Sequence, residues 1–360
     1  MRLRSRALAA AALAAALALL AGCAPQPVPE PAPSASAEPA PSADPVADRP
    51  RSLGGLDCAA LLGAGTIAAV SSQAEAARDS SVLAWSAVAA RIQQSGGLLC
   101  EWSSMALATE LHDRIQVGAM PDAAAEYEQA AAHPELRADA RDEHGDSSFA
   151  ACSEDGGRAL CAGSVLVGTT WADIRLSLAD ADGAASLFDD AMGEVAAALA
   201  GAGAPADWTP AETAVDGALL CESPAAAERM SAILDGEAQQ VGSGAEGEFF
   251  PVSRQRVDWA ECGWQVPGDP GFLRLALLAG GAWWAEEVIA DPGASAAVGD
   301  ESAVEVTGAE AAALACGAGS CWGRIAVDGS TVLVTGDAVG EDREAFTGVL
   351  EQLAASLLEG

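Results

Sequence analysis

The stretch LLCEWS at residues 98–103 has a counterpart 162 positions later, AECGWQ at residues 260–265. In each stretch a cysteine and a tryptophan stand two residues apart (Cys100 and Trp102, Cys262 and Trp264). Residues two apart on a strand point to the same face of a sheet, so each tryptophan is expected to pack in a core beside its cysteine. The matching pair of stretches indicates that the chain contains one folding unit twice.

Further correspondences along the chain support a duplication. The aligned pairs are Cys58 with Cys221, Arg114–Val117 with Arg274–Leu277, Cys161 with Cys321, and Phe188 with Phe346. The separations fall gradually from 163 to 158 residues, as a few loop deletions would produce. Chance matches would scatter instead.

Local patterns predict the elements of each copy. Ser223 is a suitable N-cap, with Pro224 in the first turn of a helix that stops at Gly236. Asp328-Gly329 is typical of a hairpin turn between two strands. Hairpins followed by helices, without βαβ alternation, favour an α+β fold. We therefore predict two tandem homologous domains, each a mainly antiparallel sheet flanked by helices.

The composition divides the chain into five segments. Residues 24–52 are rich in Pro, Ala, Ser and acidic residues and contain little that can be buried, which is typical of a disordered spacer. The predicted segments are a signal peptide at 1–22, a lipidated cysteine and tether at 23–52, a first domain at 53–202, a linker at 203–213 and a second domain at 214–360.

The N-terminus has the order of a secretory signal. Three arginines precede an apolar run from Ala7 to Ala21. The run ends in Leu20-Ala21-Gly22-Cys23, which resembles the bacterial lipobox. This resemblance implies cleavage after Gly22 and a diacylglycerol, with palmitate-type chains, on Cys23. The predicted location is the extracytoplasmic side of the cell membrane, with the membrane as partner through that lipid.

Charge excludes one class of partner. The mature chain would carry 15 arginines against 52 acidic residues, a net charge of −37. Such a surface repels the phosphate backbone, so we expect no nucleic acid partner.

Eight cysteines remain beyond Cys23, four in each copy. In an exported protein this number indicates a disulfide framework. Eight cysteines allow 105 pairings, but the duplication favours pairs inside each copy. Zinc is the competing interpretation, which the absence of any Cys-x-x-Cys disfavours. The predicted pairs are Cys58–Cys100, Cys152–Cys161, Cys221–Cys262 and Cys316–Cys321.

The pattern of Cys58, Cys100-Glu101-Trp102, Cys221 and Cys262-Gly263-Trp264 resembles small actinobacterial lipoproteins of unassigned function. It is also similar to LpqN-type lipoproteins and to extracellular sensor domains of some actinobacterial Ser/Thr kinases. The resemblance covers residues 53–202 and 207–360 and implies a PsbP-like α/β sandwich. It implies no catalytic residues, and this chain departs from the family in carrying two copies.

Motifs for chemistry are weak. Gly63-Ala64-Gly65-Thr66-Ile67-Ala68 fits a dinucleotide fingerprint, but the preceding residues predict a helix where the motif needs a strand. The histidines, His112, His133 and His144, are expected on the surface. We predict no catalytic residue, no cofactor and no metal.

Trp283-Trp284 is the one candidate contact for a ligand or a protein partner. By the alignment above, alanines 123 and 124 take these places in the first copy, so the scaffold does not require tryptophan there. Neighbouring helical positions are about 100° apart, which leaves room for one exposed ring. The alternative is that the second copy packs differently.

These observations predict a non-catalytic binding or sensor module of the cell envelope, with an unknown envelope protein or small ligand as partner. Two alternatives stay open. An envelope-directed enzyme would have clustered carboxylates with raised pKa values in one cleft. A purely structural envelope component would have no sizeable pocket.

Overall fold

A computed structural model describes residues 50, 53–70, 87–103, 113–132, 140–141, 143–203, 208–210, 212–213, 215, 217–242, 253, 256–269, 271–290, 301–317 and 319–359. The predicted signal peptide, Cys23 and the tether apart from Pro50 lie outside these residues. So do His112 and His133. The described residues all belong to one compact unit that spans residues 46–360.

The first copy forms a six-stranded antiparallel sheet in the order β1-β2-β6-β5-β4-β3. Its strands are β1 Leu98–Ser103, β2 Arg114–Met120, β3 Ala140–Arg141, β4 Ser147–Asp155, β5 Arg158–Val167 and β6 Thr170–Leu178. Its helices are α1 Ala64–Val70, α2 Ala87–Gln94, α3 Ala124–Ala131 and α4 Ala184–Ala200, with short 3-10 turns at Leu53–Gly55 and Cys58–Ala60.

The second copy forms a seven-stranded antiparallel sheet in the order β10-β11-β12-β13-β9-β8-β7. Its strands are β7 Gln239–Val241, β8 Trp259–Gln265, β9 Phe272–Leu278, β10 Ser302–Ala303, β11 Ala311–Gly317, β12 Ser320–Val327 and β13 Ser330–Gly336. A π-helical turn at Ala218–Glu222 precedes its helices, which are α5 Pro224–Ile233, α6 Ala282–Ala290 and α7 Arg343–Leu358.

Six strands of the second sheet repeat the order of the first. The series β8-β9-β13-β12-β11-β10 follows β1-β2-β6-β5-β4-β3 strand for strand, and β7 is added at the edge beside β8. Each sheet packs one face on a closing helix, α4 or α7, and each has its own hydrophobic core there. The predicted α+β fold with two homologous halves is confirmed.

Strand pairing corrects one part of the predicted alignment. Cys100 lies opposite Val117, and Cys262 lies opposite Leu275. Val117 therefore corresponds to Leu275, two residues before the Leu277 that the arginines suggested. A shift by two keeps every side chain on its own face of the sheet, so hydrophobic alternation could not detect the error.

Local signals predicted several element ends correctly. The Ser223 hydroxyl accepts a hydrogen bond from the backbone N–H of Ala226, 3.1 Å away, at the start of α5. Asp328 and Gly329 join β12 to β13 with φ angles of 46° and 74°. Positive φ at both central residues is the type I′ requirement that favours Asp-Gly in tight hairpins.

Helix α2 is buried on opposite sides because it lies between the two copies. Ala89 and Ile92 join the apolar cluster on the outer face of the first sheet, the face away from α4. Ala90 instead joins a cluster of second-copy residues that includes Val257 and Leu278. Every residue from Ala89 to Gln94 is buried. The two copies are thus packed directly against each other through this helix.

All eight cysteines beyond Cys23 are paired. Cys58–Cys100 and Cys221–Cys262 tie the start of each copy to its Cys-x-Trp strand, with Cα–Cα distances of 5.6 Å in both. Cys152–Cys161 and Cys316–Cys321 join facing residues of the hairpins β4–β5 and β11–β12. These are the four predicted pairs. Trp102 and Trp264 are buried in the two cores beside the first bridge of each copy, as expected.

Candidate functional site

The hypothesis that Trp283 or Trp284 is exposed as a ligand contact is wrong, because both side chains are buried. Trp283 is 8 % exposed and Trp284 is 1 % exposed. The Trp283 indole N–H donates to the side-chain oxygen of Gln94 at 3.1 Å, so its polar group faces the first copy. The sequence of one helix does not reveal that another copy docks on it. Both rings serve internal packing, so neither is a ligand contact.

Trp284 covers a buried ion pair. The Arg324 guanidinium carbon lies 4.9 Å from the centre of its ring, a cation–π distance. Arg324 Nε stands 3.2 Å from the carboxylate of Glu301, and their side chains are 1 % and 6 % exposed. Burial lowers the pKa of Arg324 to about 10, and the attraction of Glu301 opposes that shift. The arginine therefore stays charged at neutral pH inside the second copy.

Among the residues that the structure describes, those that cover the outer face of the first sheet lie at one end of it. There α2 and α3 pack over an apolar cluster that includes Met120, Tyr127 and Trp171. Further along the strands the same face is polar, because the alternation of side chains along β2 and β6 places Gln116 and Arg175 there. The uncovered part of this face is the first candidate binding surface.

A groove of about 370 Å³ lies on this uncovered part, and we call it the arginine groove. Its lining includes Arg114, Arg175, Ser177, Ser153 and Leu160, with Ala151 and Ala162 facing each other across β4 and β5. Leu160 is one of only two exposed large hydrophobic side chains in the described part of the chain. Among the lining residues that the structure describes, none is acidic. In a protein with 52 acidic residues against 18 arginines, that lining departs sharply from the average surface.

The second sheet has different side chains at the corresponding position. Ala162 faces Arg175 and Ala151, whereas Trp322 in the corresponding place faces Thr335 and Ala315. An indole thus replaces the methyl group of Ala162, and a threonine replaces Arg175. The common scaffold accepts both sets of residues, so the fold does not require the groove.

Asp173 lies two residues before Arg175 on β6, so both side chains are on the same face of the sheet. Burial raises the pKa of Asp173 to about 6, although Arg175, 3.4 Å from its carboxylate, acts in the opposite direction. At neutral pH the carboxylate is charged and holds the guanidinium by an ion pair. Glu101 and Gln116, which face each other on β1 and β2, are joined by a side-chain hydrogen bond nearby.

A second cavity lies on the other side of the first copy, between α1 and α4. This open cleft of about 680 Å³ is lined by His144, Asp189, Asp190 and Glu194, among other residues. His144 Nε2 lies 2.9 Å from the Asp189 carboxylate, and its side chain is 16 % exposed. Glu143 adds a third donor, and one donor atom from each of Glu143, His144 and Asp189 lies within 4.8 Å of the other two.

Glu194 fixes the wall of this cleft. Its carboxylate accepts hydrogen bonds from the Gly63 backbone N–H at 2.7 Å and the Thr66 hydroxyl at 3.0 Å. Gly63 and Thr66 belong to the apparent dinucleotide fingerprint. Short 3-10 turns, not a strand, precede α1, and the loop binds a side chain of its own chain. The glycines therefore serve the attachment of α1 to α4.

Sequence reasoning missed both cavities. For the arginine groove a signal existed in the sequence, because the alignment of Cys161 with Cys321 also aligns Ala162 of the first copy with Trp322 of the second. A difference at an outward-facing position of two copies indicates a feature that the fold does not need. For the cleft no local signal existed, because His144 and Asp189 are 45 residues apart and meet only when α4 packs on the sheet.

Comparisons with known proteins give no assignment: no protein-family model, no curated protein and no solved structure matches the chain. Within the described ranges, none of the helices combines the length and the apolar character that crossing a membrane requires.

Proposed function

We propose that this chain is an exported, lipid-anchored binding or sensor module whose first copy binds an acidic ligand in the arginine groove. Lipid on Cys23 would hold it to the extracytoplasmic side of the membrane, and the proposed role is not catalytic. The observation that carries the proposal is the groove itself, whose described lining has two arginines, a small alanine floor and no acidic residue.

The paired cysteines support export. Disulfides persist in extracytoplasmic compartments and are rare in the cytosol. All eight cysteines of the folded part are bonded, including two cross-strand pairs on hairpins. This agrees with the predicted signal peptide and with the resemblance of Leu20–Cys23 to a lipobox.

The chemistry of the groove selects the ligand class. Guanidinium groups bind carboxylate and phosphate through paired, charge-assisted hydrogen bonds. Arg114 is exposed, and the Arg175 side chain is 35 % exposed, so both can meet a ligand. Leu160 offers an apolar contact at the edge of the groove. The fitting ligand is therefore small or extended, bears a carboxylate or phosphate, and has an apolar portion.

The existence of sizeable cavities favours binding over a purely structural role. A structural component needs no pocket, whereas specific ligand sites are concave and combine apolar walls with a few polar groups. The groove has that character, and the second copy fills the same position with Trp322. In this proposal the first copy binds the ligand, and the second copy packs against the first without binding it.

Binding is tested with the mature chain, residues 23–360, carrying Cys23→Ser so that it receives no lipid. The probes are inorganic phosphate, hexanoate and hexyl phosphate, of which the last two join the anionic group to an apolar chain. Binding is measured by calorimetry or NMR titration. Arg175→Thr and Ala162→Trp introduce the residues of the second copy. Arg175→Thr removes a charge-assisted hydrogen bond, which contributes about 1.5–3 kcal/mol. Ala162→Trp fills the groove with an indole ring. Each should therefore weaken binding of the best probe by roughly 10-fold or more.

The matched control is Arg274→Gln, which gives the second copy the residue at the corresponding first-copy position, Gln116. It changes the net charge as Arg175→Thr does but leaves the groove intact, so affinity should stay within about twofold. Equal losses in the control and the groove variants would mean that only overall charge matters. Absence of binding by all three probes would reject the proposed ligand class.

The anchor is tested in the producing cell. The full-length chain should take up a labelled palmitate analogue and partition into the membrane fraction. Cys23→Ser should abolish both the labelling and the membrane partition. Labelling that survives Cys23→Ser would contradict lipidation at this residue.

A further inference from the structure

We propose that Glu143, His144 and Asp189 bind a divalent transition-metal ion of the zinc class in the cleft between α1 and α4. This site lies apart from the arginine groove, and the inference does not depend on the ligand proposed there. It rests on the chemistry of three side chains, their separation, and a comparison between the two copies.

The donor set is suited to such an ion. Imidazole nitrogen and carboxylate oxygen are common zinc ligands, at about 2.0–2.2 Å from the metal. Two ligands at those distances stand roughly 3.0–3.5 Å apart in octahedral or tetrahedral sites. His144 Nε2 and the Asp189 carboxylate are 2.9 Å apart, so an ion requires an opening of at most a few tenths of an ångström. Glu143, which is exposed, can complete a three-ligand site with an open position for water.

The surroundings hold the histidine in place. The imidazole is mostly buried, and its Cε1–Nδ1 edge lies against α4 at Gly193. Asp190 and Glu194 add negative charge to the same cleft, which lowers the energy of a cation there. Glu194 is itself held by α1, so the wall behind the site is rigid. Within the described residues, these three form the one His/Cys/Asp/Glu group whose donor atoms are close enough to share an ion.

The second copy indicates that the fold does not need this triad. Phe188 and Phe346 fix the alignment of the closing helices, so Asp189 corresponds to Thr347. His144 stands three residues before β4, and Gly308 stands three residues before β11. The register of β4 on β5 and of β11 on β12 makes these positions equivalent.

Thiols do not compete for the metal, because every cysteine of the folded part is in a disulfide. Zinc binding to the mature chain with Cys23→Ser can therefore be measured directly, by calorimetry and by competition with a fluorescent zinc indicator. The expected result is one Zn²⁺ per chain. Because imidazole is a poor ligand for hard cations, millimolar Mg²⁺ or Ca²⁺ should not displace it.

Variants identify the ligands. His144→Gln keeps a side chain that can bond to Asp189, and Asp189→Thr introduces the residue of the second copy. Each should weaken Zn²⁺ affinity at least 10-fold, a loss typical of a damaged metal site. Asp190→Asn removes a neighbouring charge in the same cleft without removing a donor of the triad, and should change affinity less than about threefold.

Four outcomes would overturn the site: no bound Zn²⁺, displacement of Zn²⁺ by Mg²⁺, binding that His144→Gln and Asp189→Thr leave unchanged, or equal losses in the Asp190→Asn control. The last outcome, or displacement by Mg²⁺, would mean that acidic charge alone attracts the ion. Circular dichroism of each variant shows whether it has folded. If His144→Gln does not fold, Asp189→Thr still decides, since the second copy accepts threonine there.

Discussion

Trp283 of the second copy donates its indole N–H to the side-chain oxygen of Gln94 in the first copy, 3.1 Å away. The amide nitrogen of the same glutamine donates to the carbonyl of Ala279 at 2.7 Å. Nearby, the guanidinium of Arg256 donates to the carbonyl oxygens of Pro121 and Asp122. One buried glutamine thus satisfies a donor and an acceptor across the boundary between the copies.

Gln94→Ala should lower the free energy of unfolding by about 2–3 kcal/mol. The substitution leaves the Trp283 N–H and the Ala279 carbonyl without their partner in a buried place, and each unsatisfied group costs about 1–3 kcal/mol. Urea unfolding of the mature chain followed by tryptophan fluorescence measures the change. Gln240→Ala, at an exposed position on β7, is the control and should cost under about 0.5 kcal/mol. An equal effect of both substitutions would deny the bridging role of Gln94.

The parts of the fold that sequence predicted are those with local or duplicated signals. The cap at Ser223 and the hairpin at Asp328 depend on a few adjacent residues. The disulfides could be paired because two copies must share one arrangement. The elements that pack on the outer faces of the sheets could not be predicted, because the position of α2 between the copies depends on residues of both halves. For the same reason Trp283 is an internal contact rather than a free one.

Asp173→Asn should stabilise the protein at pH 7 and leave it unchanged near pH 4. The pKa of Asp173 is raised from 3.8 to about 6 by burial, so the folded state binds a proton more tightly than the unfolded chain. Its contribution to stability is complete below pH 3.8 and is lost as the pH rises through 6. A shift of one pKa unit corresponds to about 1.36 kcal/mol, and the partial exposure of the side chain reduces the effect. We therefore expect Asp173→Asn to raise the free energy of unfolding by about 2 kcal/mol at pH 7.

The measurement is the free energy of unfolding of Asp173→Asn and the parent chain at several pH values from 4 to 7. Asp182→Asn, in an exposed turn before α4, serves as control and should run parallel to the parent. If Asp173→Asn also runs parallel, with no gain at high pH, then burial does not shift this carboxyl.

Glu301→Gln should destabilise the second copy by about 3 kcal/mol. Arg324 is 1 % exposed and stays charged, and a buried charge that loses its partner costs roughly 3–5 kcal/mol. The double substitution Glu301→Gln with Arg324→Met should recover most of the loss, because no charge is then left in the core. The control is Glu261→Gln, whose partner Arg274 is 41 % exposed, with an expected cost below about 1 kcal/mol. A loss that persists in the double variant would mean that shape, and not charge, is disturbed.

The four disulfides should contribute unequally to the free energy of unfolding, and the disulfides that close longer loops should contribute more. Replacing Cys58 and Cys100 with alanine frees a loop whose ends are 42 residues apart, whereas Cys316 and Cys321 are 5 residues apart. In the chain-entropy description the losses are about 4 and about 2 kcal/mol. Before substitution, a thiol reagent should label no cysteine of the mature Cys23→Ser chain until a reductant is added, and then eight. A larger loss from the hairpin pair than from the long-range pair would show that the short bridges hold native β-pairing together, rather than restrict the unfolded chain.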